Sequence, residues 1–312
     1  MTRKTSFDGL ESAPRWILVF LGAYGTISLL VLYLWNAAGQ TLSAQGTSDS
    51  TSALSVTGMA AVNLWLCLVV LRSFPAGSPL RSTWMLLTLA AAAQAASGVI
   101  TEFLGTLWLL NPLFWPEPSK SGLIGQIRQA ALIGGPLRLV LLAAALLAVL
   151  RILRKFGFPA QPTFGDWAVS GMVCMFTLSR FGEACAASLA GTPISQANWI
   201  SLAGLPILCV LSMEAMLLRR SVAAMGNGLI SRGWTALGYG ILLTVAGEVV
   251  LWVLPHYSQT LPLAMVRAFL PLTIGSVFAL VPACQVAAQR RAIRPDGSQP
   301  EDLSAGVPEL AR

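Results

Sequence analysis

The fold class that this sequence predicts is all-α, a polytopic integral membrane bundle, and three observations carry it. Apolar residues make up 55% of the 312 residues and charged ones only 11%, with a mean hydropathy of +0.70. A soluble domain carries about 25% charged residues. Eight stretches stay apolar over the roughly 20 residues that a helix needs to cross a hydrocarbon core about 30 Å thick. Lysine and arginine fall almost entirely between alternate stretches. Barrel strands would be shorter and would alternate polar with apolar residues, which these stretches do not do.

Span one, Trp16–Trp35, follows Arg3, Lys4 and Arg15. Basic residues before an apolar run also mark a signal peptide, whose cleavage would fall in the Gly/Ser/Thr-rich stretch Ala37–Thr51. The length of the run and its aromatic ends favour a retained helix. Span two, Ser52–Leu71, ends on Arg72, and span three, Thr83–Gly105, opens with Trp84 and carries one polar stripe, Gln94, Gly98 and Glu102. The loop Thr106–Gln129 mixes Trp108, Phe114 and Trp115 with Pro-Glu-Pro-Ser-Lys, a composition suited to lying on a membrane surface. Span four, Ala131–Leu150, holds Pro136 and runs into Arg151, Arg154 and Lys155. Span five is Trp167–Ser188; span six, Gln196–Leu217, holds Pro206 and precedes Arg219 and Arg220. Span seven, Trp234–Leu254, and span eight, Leu263–Gln285 with Pro271, complete the set.

Fifteen basic residues, from Arg3 to Arg312, then lie on one side, against Lys120 and Arg128 on the other. The positive-inside rule puts both termini in the cytoplasm. Trp16, Trp84, Trp167 and Trp234 would mark the inner interface, and Trp35, Trp199 and Trp252 the outer one, as an aromatic belt. The expected organisation is a cytoplasmic segment 1–15, an eight-helix membrane domain 16–287 and a polar, disordered tail 288–312. The net charge of +7 faces anionic lipid rather than nucleic acid, since no aromatic–basic run suggests a groove for it. The expected compartment is the inner membrane of a bacterium.

Short links pair the spans into four hairpins, and the last three share a pattern. Each starts with a tryptophan (Trp84, Trp167, Trp234), carries an acid on its first helix (Glu102, Glu183, Glu248) and a proline on its second (Pro136, Pro206, Pro271). Glu183 to Pro206 and Glu248 to Pro271 are both 23 residues apart. The pattern is compatible with internal duplication. The prolines free backbone carbonyls that need partners in lipid, and Gly134, Gly135, Gly204 and Gly275 would let helices approach closely.

Seven ionisable residues fall inside the spans: Glu102, Arg138, Arg180, Glu183, Glu214, Glu248 and Arg267. A charge at bilayer depth costs on the order of 2.5–3.5 kcal/mol unless it finds protein or water. Arg180 and Glu183 are three apart and can pair. Glu248 with Arg267, and Glu102 with Arg138, can meet across their hairpins. Glu214 would snorkel to Arg219 or Arg220. All but Glu214 would form an ionic cluster in the outer half, acting either as structural pairing or as the lining of a cavity.

Only one histidine exists, His256, so bis-histidine haem and histidine-rich metal sites have no ligands. The three lysines lie outside the spans, which leaves a Schiff-base cofactor without an anchor. No cofactor or metal is expected. The five cysteines (Cys67, Cys174, Cys185, Cys209, Cys284) form no CxxC pair and are expected as packing residues.

One catalytic constellation exists: Glu183-Ala184-Cys185 near the outer end of span five, with His256 and Arg267 at the outer ends of spans seven and eight. It resembles the outer-face Cys, Arg and His of exosortase-type transpeptidases, and the resemblance implies a cysteine-dependent membrane enzyme. The chain departs from that family, because Ala-Ala-Ser follows Cys185 in place of Ser-Gly, no Asn-x-x-Arg element follows, and His precedes Arg. The hairpin rhythm resembles the multi-span input regions of bacterial signalling proteins. Three functions compete. The first is a non-catalytic subunit or input module acting beside a membrane partner or a second copy of itself. The others are a small-solute transporter using the Glu/Arg cluster and the cysteine enzyme.

Overall fold

The computed structural model describes residues 12–37, 41–110, 123–191, 196–253 and 261–293. The described residues form eight helices: α1 (Ala13–Ala37), α2 (Thr41–Ser73), α3 (Pro79–Leu110), α4 (Leu123–Lys155), α5 (Phe164–Leu189), α6 (Gln196–Ala223), α7 (Leu229–Val253) and α8 (Leu261–Ile293). No strand occurs among the described residues. Six helices, α2, α3, α4, α6, α7 and α8, contain a stretch long and apolar enough to cross a membrane, so the chain is a multi-pass helical membrane protein. In α5, Asp166, Arg180 and Glu183 dilute the apolar residues, and it is not among the six.

All eight helices extend beyond their expected spans at one end or both, α2 and α4 furthest at their starts. The stretch from Thr41 to Thr51 continues α2 instead of forming a loop, and α4 begins at Leu123, eight residues before the expected start. Hydropathy marks only the part of a helix that matches lipid; backbone hydrogen bonding carries on until a breaker intervenes, and neither extension contains proline.

The same six helices close a ring. α2 lies against α3, α3 against α4, α4 against α6, α6 against α7, α7 against α8, and α8 against α2. The last junction is fastened at one end by the Ser73 hydroxyl, which donates to Gln289 Oε1 at 3.0 Å. α1 rests on the outside of α8, where Tyr24 meets Phe269 edge to face at 6.4 Å. α5 rests outside the ring with α6 as its one substantial neighbour. Of the four expected hairpins, α3–α4, α5–α6 and α7–α8 pack as pairs. α1 instead packs mainly on α8 and meets α2 only lightly.

Three short turns share the end of the bundle that carries Arg72, Arg81, Arg151, Arg154, Lys155, Arg219, Arg220 and Arg232, here termed the basic end. Each uses a glycine at positive φ: Gly77 (99°), Gly157 (84°) and Gly226 (87°). After α4 the Phe158 amide donates to the Leu153 carbonyl at 3.0 Å and the Gly157 amide to Arg154 at 3.2 Å, a Schellman stop that an L side chain at 157 would strain. Small residues set the helix spacing. A Cβ at Gly134 would sit 2.8 Å from Ser97 Cβ and 3.2 Å from the Ala93 carbonyl, so α3 and α4 touch backbone to side chain. Gly204 likewise meets Leu139 and Pro136, whereas Gly135 faces open space.

The tryptophans divide into two groups. Trp16, Trp167 and Trp199 face outward, as interfacial anchors do. Trp84 and Trp234 do not: they are 1% and 6% exposed, and their rings meet at a tilt, centroids 5.7 Å apart, inside the basic end of the helix ring. α3 and α7 both belong to the ring, so their first turns can direct an indole inward. α5 stands outside it, and Trp167 has nothing to cover it.

Candidate functional site

Gly134 and Arg138 are four residues apart, so they share one face of α4. The close approach at Gly134 therefore carries the Arg138 guanidinium into the ring, beside α3. There it lines a cavity with Asn63 and Cys67 of α2, Trp84 and Gln94 of α3, and Phe278 of α8. The space open to the centre of a water molecule is about 20 Å³, enough for one or two waters. The Arg138 Cζ stands 4.8 Å from the Phe278 ring centroid, a cation–π contact. Its Nη2 is sealed from solvent and has no hydrogen-bond partner, and the Trp84 Nε1 is in the same condition. The Cys67 thiol donates to Asn63 Oδ1 at 3.7 Å. Among the described residues no carboxylate lines the cavity.

From this cavity, charges of alternating sign lead outward. Glu248 of α7 lies within electrostatic reach of both Arg138 and Arg180. Arg180 Nη1 pairs with Glu183 Oε2 at 2.9 Å along α5, both side chains being partly exposed (37% and 47%). Four of the six residues expected in an outer ionic cluster are thus brought near one another across α4, α7 and α5. Glu102 and Arg267 belong to α3 and α8, but their side chains lie outside the described residues, as do His256 and the middle half of the expected loop Thr106–Gln129, whose two ends continue α3 and open α4. Cys185 lies on the exposed side of α5, and Cys174 is exposed as well; only Cys67 and Cys284 are fully buried. The expectation that all five thiols pack inside fails for Cys174 and Cys185, because α5 has one neighbour and most of its surface faces away from protein.

Glu214 departs most from expectation. It does not reach Arg219 or Arg220. It is buried, 4% exposed, and neither carboxylate oxygen has a partner. Arg219 is engaged with Tyr239, donating to its hydroxyl at 2.9 Å with Cζ 4.2 Å from the ring centroid. Arg220 turns the other way, to Asp166 of α5, with Nε 3.1 Å from Oδ2.

Asp166 was missed as an anchor, although the spacing Thr163-x-x-Asp166 before an apolar run is a legible capping signal. Its carboxylate accepts the Thr163 amide at 2.7 Å and the Thr163 hydroxyl at 3.0 Å, closing the start of α5 just ahead of the expected span. Burial opposes its ionisation most strongly, but the two Thr163 bonds and the Arg220 guanidinium together outweigh it, so the carboxyl titrates below its ordinary range. A depressed carboxyl contributes stability that is fully present above the ordinary value near 4 and is lost as the pH falls through the folded value. A thermal-stability series from pH 7 to pH 3 should be flat above about pH 5 and then lose about 1 kcal/mol that depends on this residue. Asp166→Asn should lack that acid-dependent component, and an identical acid limb in both proteins would refute the assignment.

Comparison with protein-family models, with curated proteins and with solved structures returns no match. Among the described residues no three His, Cys, Asp or Glu side chains converge as a metal site requires.

Proposed function

We propose that this chain is a non-catalytic membrane module that works through a second membrane protein, docked along α5. In this reading all eight helices cross the inner membrane of a bacterium, the basic end faces the cytoplasm, and the hairpins from α3 onward derive from one ancestral unit. The observation that carries the proposal is the position of α5. It stands outside the helix ring on a single neighbour and carries a partly exposed ion pair, Arg180–Glu183, at the expected depth of the bilayer. Lipid solvates a partly exposed pair poorly, whereas a partner helix laid over it would shield it from the acyl chains. Charges of alternating sign run from Glu183 through Arg180 and Glu248 to Arg138. They give a docked helix a physical route to the cavity, which suits an input or relay role.

The test is a photo-crosslinking amino acid placed at Met175, which is 69% exposed on α5, and, as a control, at Val140, which is 50% exposed on α4. In native membranes Met175 should yield one discrete protein adduct that disappears when Arg180 and Glu183 are both replaced by leucine. Val140 should yield none. Adducts at neither position, or equally at both, would overturn the proposal, and an adduct of twice the chain's mass would make the partner a second copy.

The half-buried Arg138 beside a cavity favours one further reading, a small-solute transporter. Uptake that Glu248→Gln abolishes without loss of protein would support it. The cysteine-enzyme reading has Cys185 on the exposed face of α5 and its other two residues outside the described part of the chain.

A further inference from the structure

We propose that the cavity inside the helix ring is a binding site for a small monovalent anion, chloride or one of its size, held by Arg138. Three features independent of the α5 proposal carry it. First, two residues that line the cavity carry donors that are sealed from solvent and unbonded, Arg138 Nη2 and Trp84 Nε1. A buried donor left unmade costs about 1–3 kcal/mol, and more when charged. Second, among the described residues the guanidinium has no carboxylate at contact distance: Glu248 attracts it from beyond the 4 Å of an ion pair, and no described residue of the cavity lining is an acid. An anion in direct contact with Nη2 would supply the charge-assisted hydrogen bond that is absent. Third, the remaining lining fits an ion of low hydration demand. The amide groups of Asn63 and Gln94 can turn donors inward, and Leu87, Ala91 and Leu142 complete an apolar wall. The space admits about one or two water-sized particles, which excludes sulfate, gluconate and larger carboxylates.

The experiment uses the full chain, purified in mild detergent with gluconate as the sole anion, and reads the unfolding temperature while chloride replaces gluconate at constant ionic strength. A ligand that binds only the folded state raises that temperature saturably, and a rise of about 2–4 °C is expected at saturation. Bromide should act similarly and sulfate should not. Arg138→Gln should abolish the response, and Glu183→Gln should keep it. If Arg138→Gln does not fold, Ala91→Val narrows the cavity without removing charge and should also abolish the response. A response that never saturates, that sulfate reproduces, or that survives both Arg138→Gln and Ala91→Val would overturn the proposal. So would no response at all, which would leave the cavity to water.

Discussion

Trp84→Ala is expected to lower the stability of the detergent-solubilised protein by about 3 kcal/mol, the lower end of the range for a buried tryptophan. In lipid the transfer component is smaller than in water, because an exposed indole there is already in apolar surroundings. What remains is lost contact and the void left behind. The side chain is 1% exposed and lies against Trp234. Trp234→Ala should cost a similar amount. The double replacement should cost less than the two together, by about 1 kcal/mol, because the ring contact is counted in both single changes. Thermal or denaturant unfolding of the three variants checks this. If Trp84→Ala behaves like the removal of an exposed tryptophan such as Trp167, the tryptophan pair is not a core element.

Glu214→Leu should act in the opposite direction and raise stability by about 2–3 kcal/mol. A buried carboxylate without a hydrogen bond costs roughly that much, and an apolar residue of similar volume removes the cost. Leu211, Ala215 and Leu218 around it on α6 are all 0–1% exposed, so leucine enters matching surroundings. Glu214→Gln should recover less, since an unpartnered amide remains. The comparison is a melting curve for each variant. A fall in stability for Glu214→Leu would mean that the carboxyl has a partner in the membrane, and a rise accompanied by loss of function would mark it as a working group retained at a structural cost.

The sequence made the helices legible because the bilayer imposes a length and an apolarity that single residues report directly. The eight elements, their order and the end that gathers the arginines all follow from that. Neighbour relations did not follow. Hydropathy shows that α5 and α6 are both apolar, but not that one stands inside a closed ring and the other outside it. That difference explains why Trp84 and Trp167, which open two apparently equivalent hairpins, meet different surroundings. Gly134 and Gly135 show the same limit: either could have been the close contact, and only the rotation of α4 against α3 makes it Gly134. At the site, Arg180 with Glu183 was readable from local helical spacing. The contact of the Arg138 guanidinium with Phe278, more than a hundred residues away in the chain, had no local signal. Glu214 was misread because its nearest arginines in sequence have better partners in space.

The closure of α2 against α8, with α1 laid over the seam, has a consequence in time. α1 begins at Ala13 and the helix that receives it begins at Leu261, about 250 residues later, which at 5–20 residues per second is on the order of tens of seconds of synthesis. Throughout that interval the nascent protein is an open arc whose first helix has no permanent seat and whose Arg138 has not yet met Phe278. The last helix to emerge is the keystone. Any membrane protease or insertase that surveys unfinished proteins therefore has a long window in which to find this one, and the window shuts in a single step.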